Sequence, residues 1–101
     1  MLFGTPRPKI LAMEFEWDVN KAGTNREKHG VSFEEAVEVF ADRLSSTVAD
    51  PDHSLGEQRF VMFGRTSAGR YLVAAFTERD DKIRIISARE MTRSERRAYE
   101  Q

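Results

Sequence analysis

The sequence predicts an α+β fold in which two helices precede an antiparallel β-meander and a third helix closes the chain. Three observations predict it. A capping box with an i, i+3, i+4, i+7 apolar repeat falls in the first half. Three strand-like runs separated by short turns follow, and the capping-box spacing returns near the end.

Glu14 to Asp18 (EFEWD) alternates charged and aromatic residues, the pattern of a strand that buries Phe15 and Trp17 on one face. Asp18 then caps a helix through about Lys28, and Gly30 is its natural stop. Ser32 with Glu35 opens a second helix over 33–41, with Phe33, Ala36, Val37 and Phe40 as its core stripe. Leu44 to Val48 reads as a short strand, and the Asp-, Pro-, Ser- and Gly-bearing ADPDHSLGE that follows reads as an acidic loop. Arg59–Thr66, Tyr71–Glu78 and Lys82–Arg89 are the meander strands, joined through SAGR and RDD. Thr92 with Glu95 starts the terminal helix TRSERRAYE. The helices are expected on one face of the sheet, and a parallel βαβ arrangement is disfavoured.

A chain of 101 residues with 40% hydrophobic and 33% charged residues supports one modest core. Residues 1–12, with Gly4, Pro6 and Pro8, are expected to be a flexible extension, and 13–101 a single domain. The absence of cysteine removes disulfides, a thiolate nucleophile and cysteine-ligated zinc, and it suits a reducing cytoplasm. No run approaches the roughly 20 apolar residues of a membrane span, and the first twelve residues lack the apolar centre of a secretion signal. The net charge of -1 conceals an asymmetry. Residues 1–58 carry 6 Lys or Arg against 11 Asp or Glu, whereas residues 59–101 carry 10 against 6. Twelve of the 16 basic residues are arginine, whose planar fork suits phosphate; ordinary ion pairing between the halves is the plainer explanation.

The densest candidate set is Arg65, Arg84, Arg89, Arg93, Arg96 and Arg97. Strict alternation places Arg84 and Arg89 on opposite faces of the last strand, and Arg93 and Arg97 follow Arg89 by four and eight residues. Such a cluster suits RNA cleavage by its own 2′-hydroxyl, in which cations stabilise a phosphorane dianion and a base and an acid move protons. Candidates for the proton transfers are Lys28, His29, His53, Tyr71, Glu78 and Tyr99. His53 lies among Asp50 and Asp52, but no repeated ligand spacing supports a metal site, and none is expected. Neither a Gly-rich phosphate loop nor a Gly-x-Ser-x-Gly sequence is present.

In order, FEWD at 15–18, KHG at 28–30, SFEEA at 32–36, DPDHS at 50–54 and RIISARE with ERRAYE at the end form a series. It resembles the BrnT family of bacterial toxins, RelE-like ribonucleases paired with a BrnA-type antitoxin. The resemblance spans about Glu14 to Gln101. It implies a RelE-like fold and an endoribonuclease that needs no cofactor or metal and cuts mRNA, free or on the ribosome, inhibiting translation. It also implies a cytoplasmic hetero-oligomer with a ribbon-helix-helix antitoxin, through which the pair reaches operator DNA. By segment it assigns catalytic candidacy to Lys28, His29, Arg65, Arg89 and Arg97, and RNA contact to Arg84, Arg93, Arg96 and Tyr99. The alternative is a non-catalytic module that binds nucleic acid or antitoxin as a co-repressor; cleavage of a long RNA in chelator separates the two.

Overall fold

Short-range signals start and stop the helices. The computed structural model describes residues 13–50 and 56–101; the extension 1–12 and His53 lie outside the described residues. β1 (Glu14–Glu16) is followed by α1 (Val19–His29), which Asp18 caps by accepting from the Lys21 amide at 3.0 Å. Gly30 ends α1 at φ +67°, a conformation glycine adopts without a Cβ penalty. α2 (Phe33–Glu38) and α3 (Arg93–Tyr99) each begin in a complete reciprocal capping box, Ser32 with Glu35 and Thr92 with Glu95. No helix among the described residues is long and apolar enough to cross a membrane.

α2 tightens into a 3-10 turn at Val39–Ala41. That turn changes the helical phase, so Val39 is fully buried while the expected Val37 is only half-buried. Phe33, Ala36 and Phe40 are buried as expected.

β2 (Ser46–Ala49), β3 (Arg59–Arg65), β4 (Tyr71–Arg79) and β5 (Lys82–Glu90) form the antiparallel meander. β2 starts two residues later than expected, leaving Leu44 outside it. β4 turns into β5 through Asp80 and Asp81, both at positive φ, the two-residue geometry that suits a hairpin's twist. β1 adds to β5 in parallel, giving the order β1-β5-β4-β3-β2; the sheet is therefore mixed and not purely antiparallel.

One face of the sheet meets α1, α2 and the 3-10 turn. Leu72, Ala74, Phe76, Ile83, Ile85 and Ala88 of the sheet pack there against Val31, Phe33, Val39 and Phe40. Gly64 permits the closest approach, since a Cβ there would stand 2.8 Å from the Cβ of Val39. Phe15 and Trp17 seal the edge, edge-on to Phe40 and Phe33 at 5.1 and 5.8 Å.

Two expectations about the faces are corrected. Strict alternation fails in β5 because Ala75 pairs with Ser87 while Phe76 pairs with Ile85, leaving Ile86 as a bulge residue. Beyond the bulge the parity reverses: Ala88 joins Ile83 and Ile85 in the core, and Arg84 and Arg89 share the opposite face, registered with Thr77 and Val73. Four residues of β4 separate those positions, about 13 Å along the strand. The second correction concerns α3. It lies on the face away from α1 and α2, where Tyr99 meets Tyr71 and Ala98 adjoins Val48 and Phe63. The helices thus occupy both faces, because the sheet's second face carries its own apolar strip for α3 to cover.

Candidate nucleic-acid interface

The end of the sheet where β3 turns into β4 gathers most of the candidate residues. Arg65 is the last residue of β3, and Tyr71, its register partner, opens β4. The Tyr71 ring carries two guanidinium groups, Arg96 at 3.9 Å and Arg65 at 5.5 Å from its centroid. Tyr99 stands edge-on to the same ring at 5.8 Å. Beside them opens a cleft of about 510 Å³ lined by Glu38, Ala41, Asp42, Arg65, Thr66 and Ser67.

Asp42 organises this corner. One carboxylate oxygen accepts from the Arg65 amide at 2.8 Å and from the Tyr99 hydroxyl, and the other accepts from the Leu44 amide at 3.0 Å. Burial opposes its charge, but the bonds from Tyr99, Leu44 and Arg65 hold its carboxyl below the usual carboxylate range. Burial and the bond to Asp42 push the Tyr99 hydroxyl up to about 12, so Tyr99 serves as a donor and not as a base at neutral pH. The Tyr71 hydroxyl donates to Glu100 at 3.2 Å.

The candidate arginines differ in how their charge is used. Arg89 is held in a fork by Glu95, at 2.7 and 2.9 Å, and donates a third bond to the Glu90 carbonyl. Glu95 also accepts from the Thr92 amide, so the pair welds the end of β5 to the start of α3. Arg89's bonds, aided by those of Thr92, hold the Glu95 carboxyl down at about 2 despite partial burial. Arg84 pairs with Glu16 of β1 at 3.3 Å, toward the other end of the sheet. Among the described residues Arg96 makes only a long contact with Glu100, 3.6 Å, beyond its stacking on Tyr71. Arg65, Arg93 and Arg97 are exposed and have no hydrogen-bonded or ion-pair partner for their guanidinium groups among the described residues.

Lys28 and His29 end α1 and are exposed. Gly30, which follows them, is tied to the same end of the sheet by Arg70, which donates to its carbonyl at 3.3 Å and pairs with Glu35 and Glu90. Arg70 therefore ties α1, α2 and β5 together next to Tyr71. Among the described residues no group of three His, Asp or Glu side chains could hold a metal ion.

Three participants escaped the sequence reading. Arg70 looked like a turn residue, and only the structure shows its three partners. Tyr71 entered as a proton carrier, whereas it is the platform on which the cations meet. Asp42 had a faint signal: a carboxylate just beyond a helix C-terminus opposes the helix dipole, so it needs a compensating partner.

The profile for "ribonuclease toxin, BrnT, of type II toxin-antitoxin system" matches residues 17–95, well over half of the chain. The 1.1 Å crystal structure of the Brucella abortus ribonuclease toxin, BrnT, superimposes with a TM-score of 0.59 at 21% identity, covering 80% of this chain and 99% of that one. At that identity the likeness establishes the shared α+β fold. No curated protein matches the chain.

Proposed function

The chain belongs to the BrnT family of ribonuclease toxins of type II toxin-antitoxin systems, and on that premise we propose that it is a RelE-like, metal-independent endoribonuclease that cuts mRNA and halts translation. A BrnA-type ribbon-helix-helix antitoxin neutralises it, and the pair reaches operator DNA chiefly through the antitoxin. The observation that carries the reading is the exposed Arg65 guanidinium, in no close ion pair among the described residues, beside Arg96 on Tyr71 at the mouth of a cleft.

In this proposal Arg65 and Arg97 hold the scissile phosphate. As the 2′-oxygen attacks phosphorus and the bond to the 5′-oxygen breaks, negative charge grows on the non-bridging oxygens, and fixed cations stabilise that state more than the ground state. The 2′-hydroxyl proton passes to a base, the role proposed for His29 at the C-terminal end of α1, and the departing 5′-oxygen takes its proton from water. The products are a 2′,3′-cyclic phosphate and a free 5′-hydroxyl. Lys28, Arg93 and Arg96 contact flanking phosphates, and Tyr99 holds Asp42 and the Tyr71 platform in place. Arg89 acts as a positioning residue, since its fork to Glu95 fixes α3 and with it Arg96 and Arg97. Arg84, about 13 Å along β5, serves a more distant part of the RNA.

The test is cleavage of a long RNA by the purified chain in chelator. Cyclic-phosphate ends are expected, and Arg65→Ala, shown to be folded, should lower kcat by about 100- to 1,000-fold. Intact RNA with the wild-type chain would overturn the enzymatic reading. Undiminished cleavage by the variant would overturn the site.

A further inference from the structure

The Arg65 guanidinium is exposed and makes no hydrogen bond or ion pair among the described residues. A long side chain without such partners keeps its rotamer freedom unless something else confines it. Two uncharged surfaces do so here. One is the Tyr71 ring, whose centroid lies 5.5 Å from the guanidinium carbon. The other is Gly69, at φ +89° in the turn that joins β3 to β4. A Cβ at Gly69 would stand 3.3 Å from Nη2 of Arg65 and 3.9 Å from its Nε. The first distance is tighter than ordinary van der Waals contact, so with a side chain at 69 either the turn or the guanidinium must give way.

The turn is the stiffer of the two. Within it the Thr66 amide donates to the Arg70 carbonyl at 2.8 Å, the Gly69 amide to the Thr66 carbonyl at 2.9 Å, and the Arg70 amide to the Thr66 hydroxyl at 3.0 Å. On one flank Glu38 accepts from the amide and the hydroxyl of Ser67, at 2.9 and 2.7 Å. On the other the Arg70 guanidinium is paired with Glu35 and Glu90. The far end of a flexible side chain yields before a turn clamped in this way. Arg65 shares its cleft with Glu38 and Asp42, the carboxylates at hand for a displaced guanidinium. A close pair with either would occupy N–H groups that a phosphate needs.

We propose that Gly69 is a positioning residue: its missing Cβ, together with the Tyr71 ring, forms a seat that holds the Arg65 guanidinium in place with its N–H donors open to a phosphate. The proposal rests on the reading of Arg65 as the phosphate-holding cation, whereas the seat itself is tested without RNA.

The experiment compares Gly69→Ala and Gly69→Asn, each shown to be folded. Asn tolerates the left-handed backbone better than Ala but brings a larger side chain against Arg65, so a seat makes Asn at least as harmful as Ala, and backbone strain alone makes it less so. By NMR, the Arg65 Nε–Hε resonance, which the Tyr71 ring shifts, should move in both variants toward that of a free arginine. Cleavage of a long RNA in chelator should fall about 10-fold with Ala and about 30-fold with Asn, in kcat more than in KM. In an Arg65→Ala background the same two substitutions should change cleavage by about twofold at most, because the group they displace is gone. An unmoved Arg65 resonance in both variants overturns the seat. So does greater harm from Ala than from Asn, or an equal loss of cleavage with and without the Arg65 guanidinium. Intact RNA with the wild-type chain strikes the enzymatic reading, and the resonance then decides the seat by itself.

Discussion

Under α1 and α2 the sheet is sealed by hydrocarbon and aromatic contact, whereas under α3 a smaller apolar strip is flanked by bridges between ionised and hydroxyl groups. Phe33, Val39, Leu72 and Ile85 are at most 2% exposed on the first face. On the second, the Arg89–Glu95 fork and the Tyr99–Asp42 bond do the joining, and the polar groups are half-buried at most. The difference teaches that apolar sealing and charged bridging are divided between the faces, with the proposed RNA site on the second. Burial of apolar area involves no titrating group, so the stabilisation it gives the first face does not depend on pH. A face held by charge tolerates exposed guanidinium groups beside it, which is what a phosphate ligand needs.

The sharpest way to break this division is to cut into the first face. Phe33→Ala should cost about 3–5 kcal/mol, measured by urea unfolding. Trp17, edge-on to Phe33, is the single tryptophan and reports that face by fluorescence. Asn25→Ala comes next. Asn25 is buried, donates to the Val31 and Ala88 carbonyls and accepts from the Ala88 amide, so truncation should cost about 2–3 kcal/mol and unprotect that amide to exchange. If it costs less than a surface pair, the first face is not the rigid one.

Smaller effects should sharpen the contrast on the second face. Glu95 ionises at about 2 in the folded chain against 4.5 ordinarily, so its contribution is complete above pH 4.5 and is lost as the pH falls toward 2. Glu95→Gln should lower stability at neutral pH by about 1 kcal/mol and flatten the stability profile across that window. Superimposable profiles for wild type and variant would show that the fork does not hold α3. The smallest effect belongs to Arg79→Ala, which removes an exposed pair with Glu57 and should stay within about 0.5 kcal/mol.

Much of the fold was legible because its signals are local. Asp18, Gly30, Ser32 and Thr92 act on backbone groups within four residues, and helix boundaries followed from them. The meander was equally visible in three alternating runs. The bulge was legible too, but misread: the Ile85–Ile86 doublet interrupts the alternation and marks the parity change that puts Arg84 and Arg89 on one face. The site was legible only as a list. Arg65, Arg89, Arg96 and Arg97 stood out by number, yet nothing in their spacing told that Glu95 claims Arg89 while Arg65 forms no close ion pair among the described residues.

By itself, then, the sequence determined where elements begin and end, which residues are apolar enough to be core, and the run of motifs that marks the family. The tertiary structure alone decided that β1 joins β5 in parallel, that α3 crosses the second face, and that Asp42, Tyr71 and Tyr99 meet across as many as 57 residues of chain. The reason is physical. Capping and alternation are satisfied within a few residues, whereas the partner of a strand edge or a guanidinium group is set by which distant surfaces bury the most apolar area together.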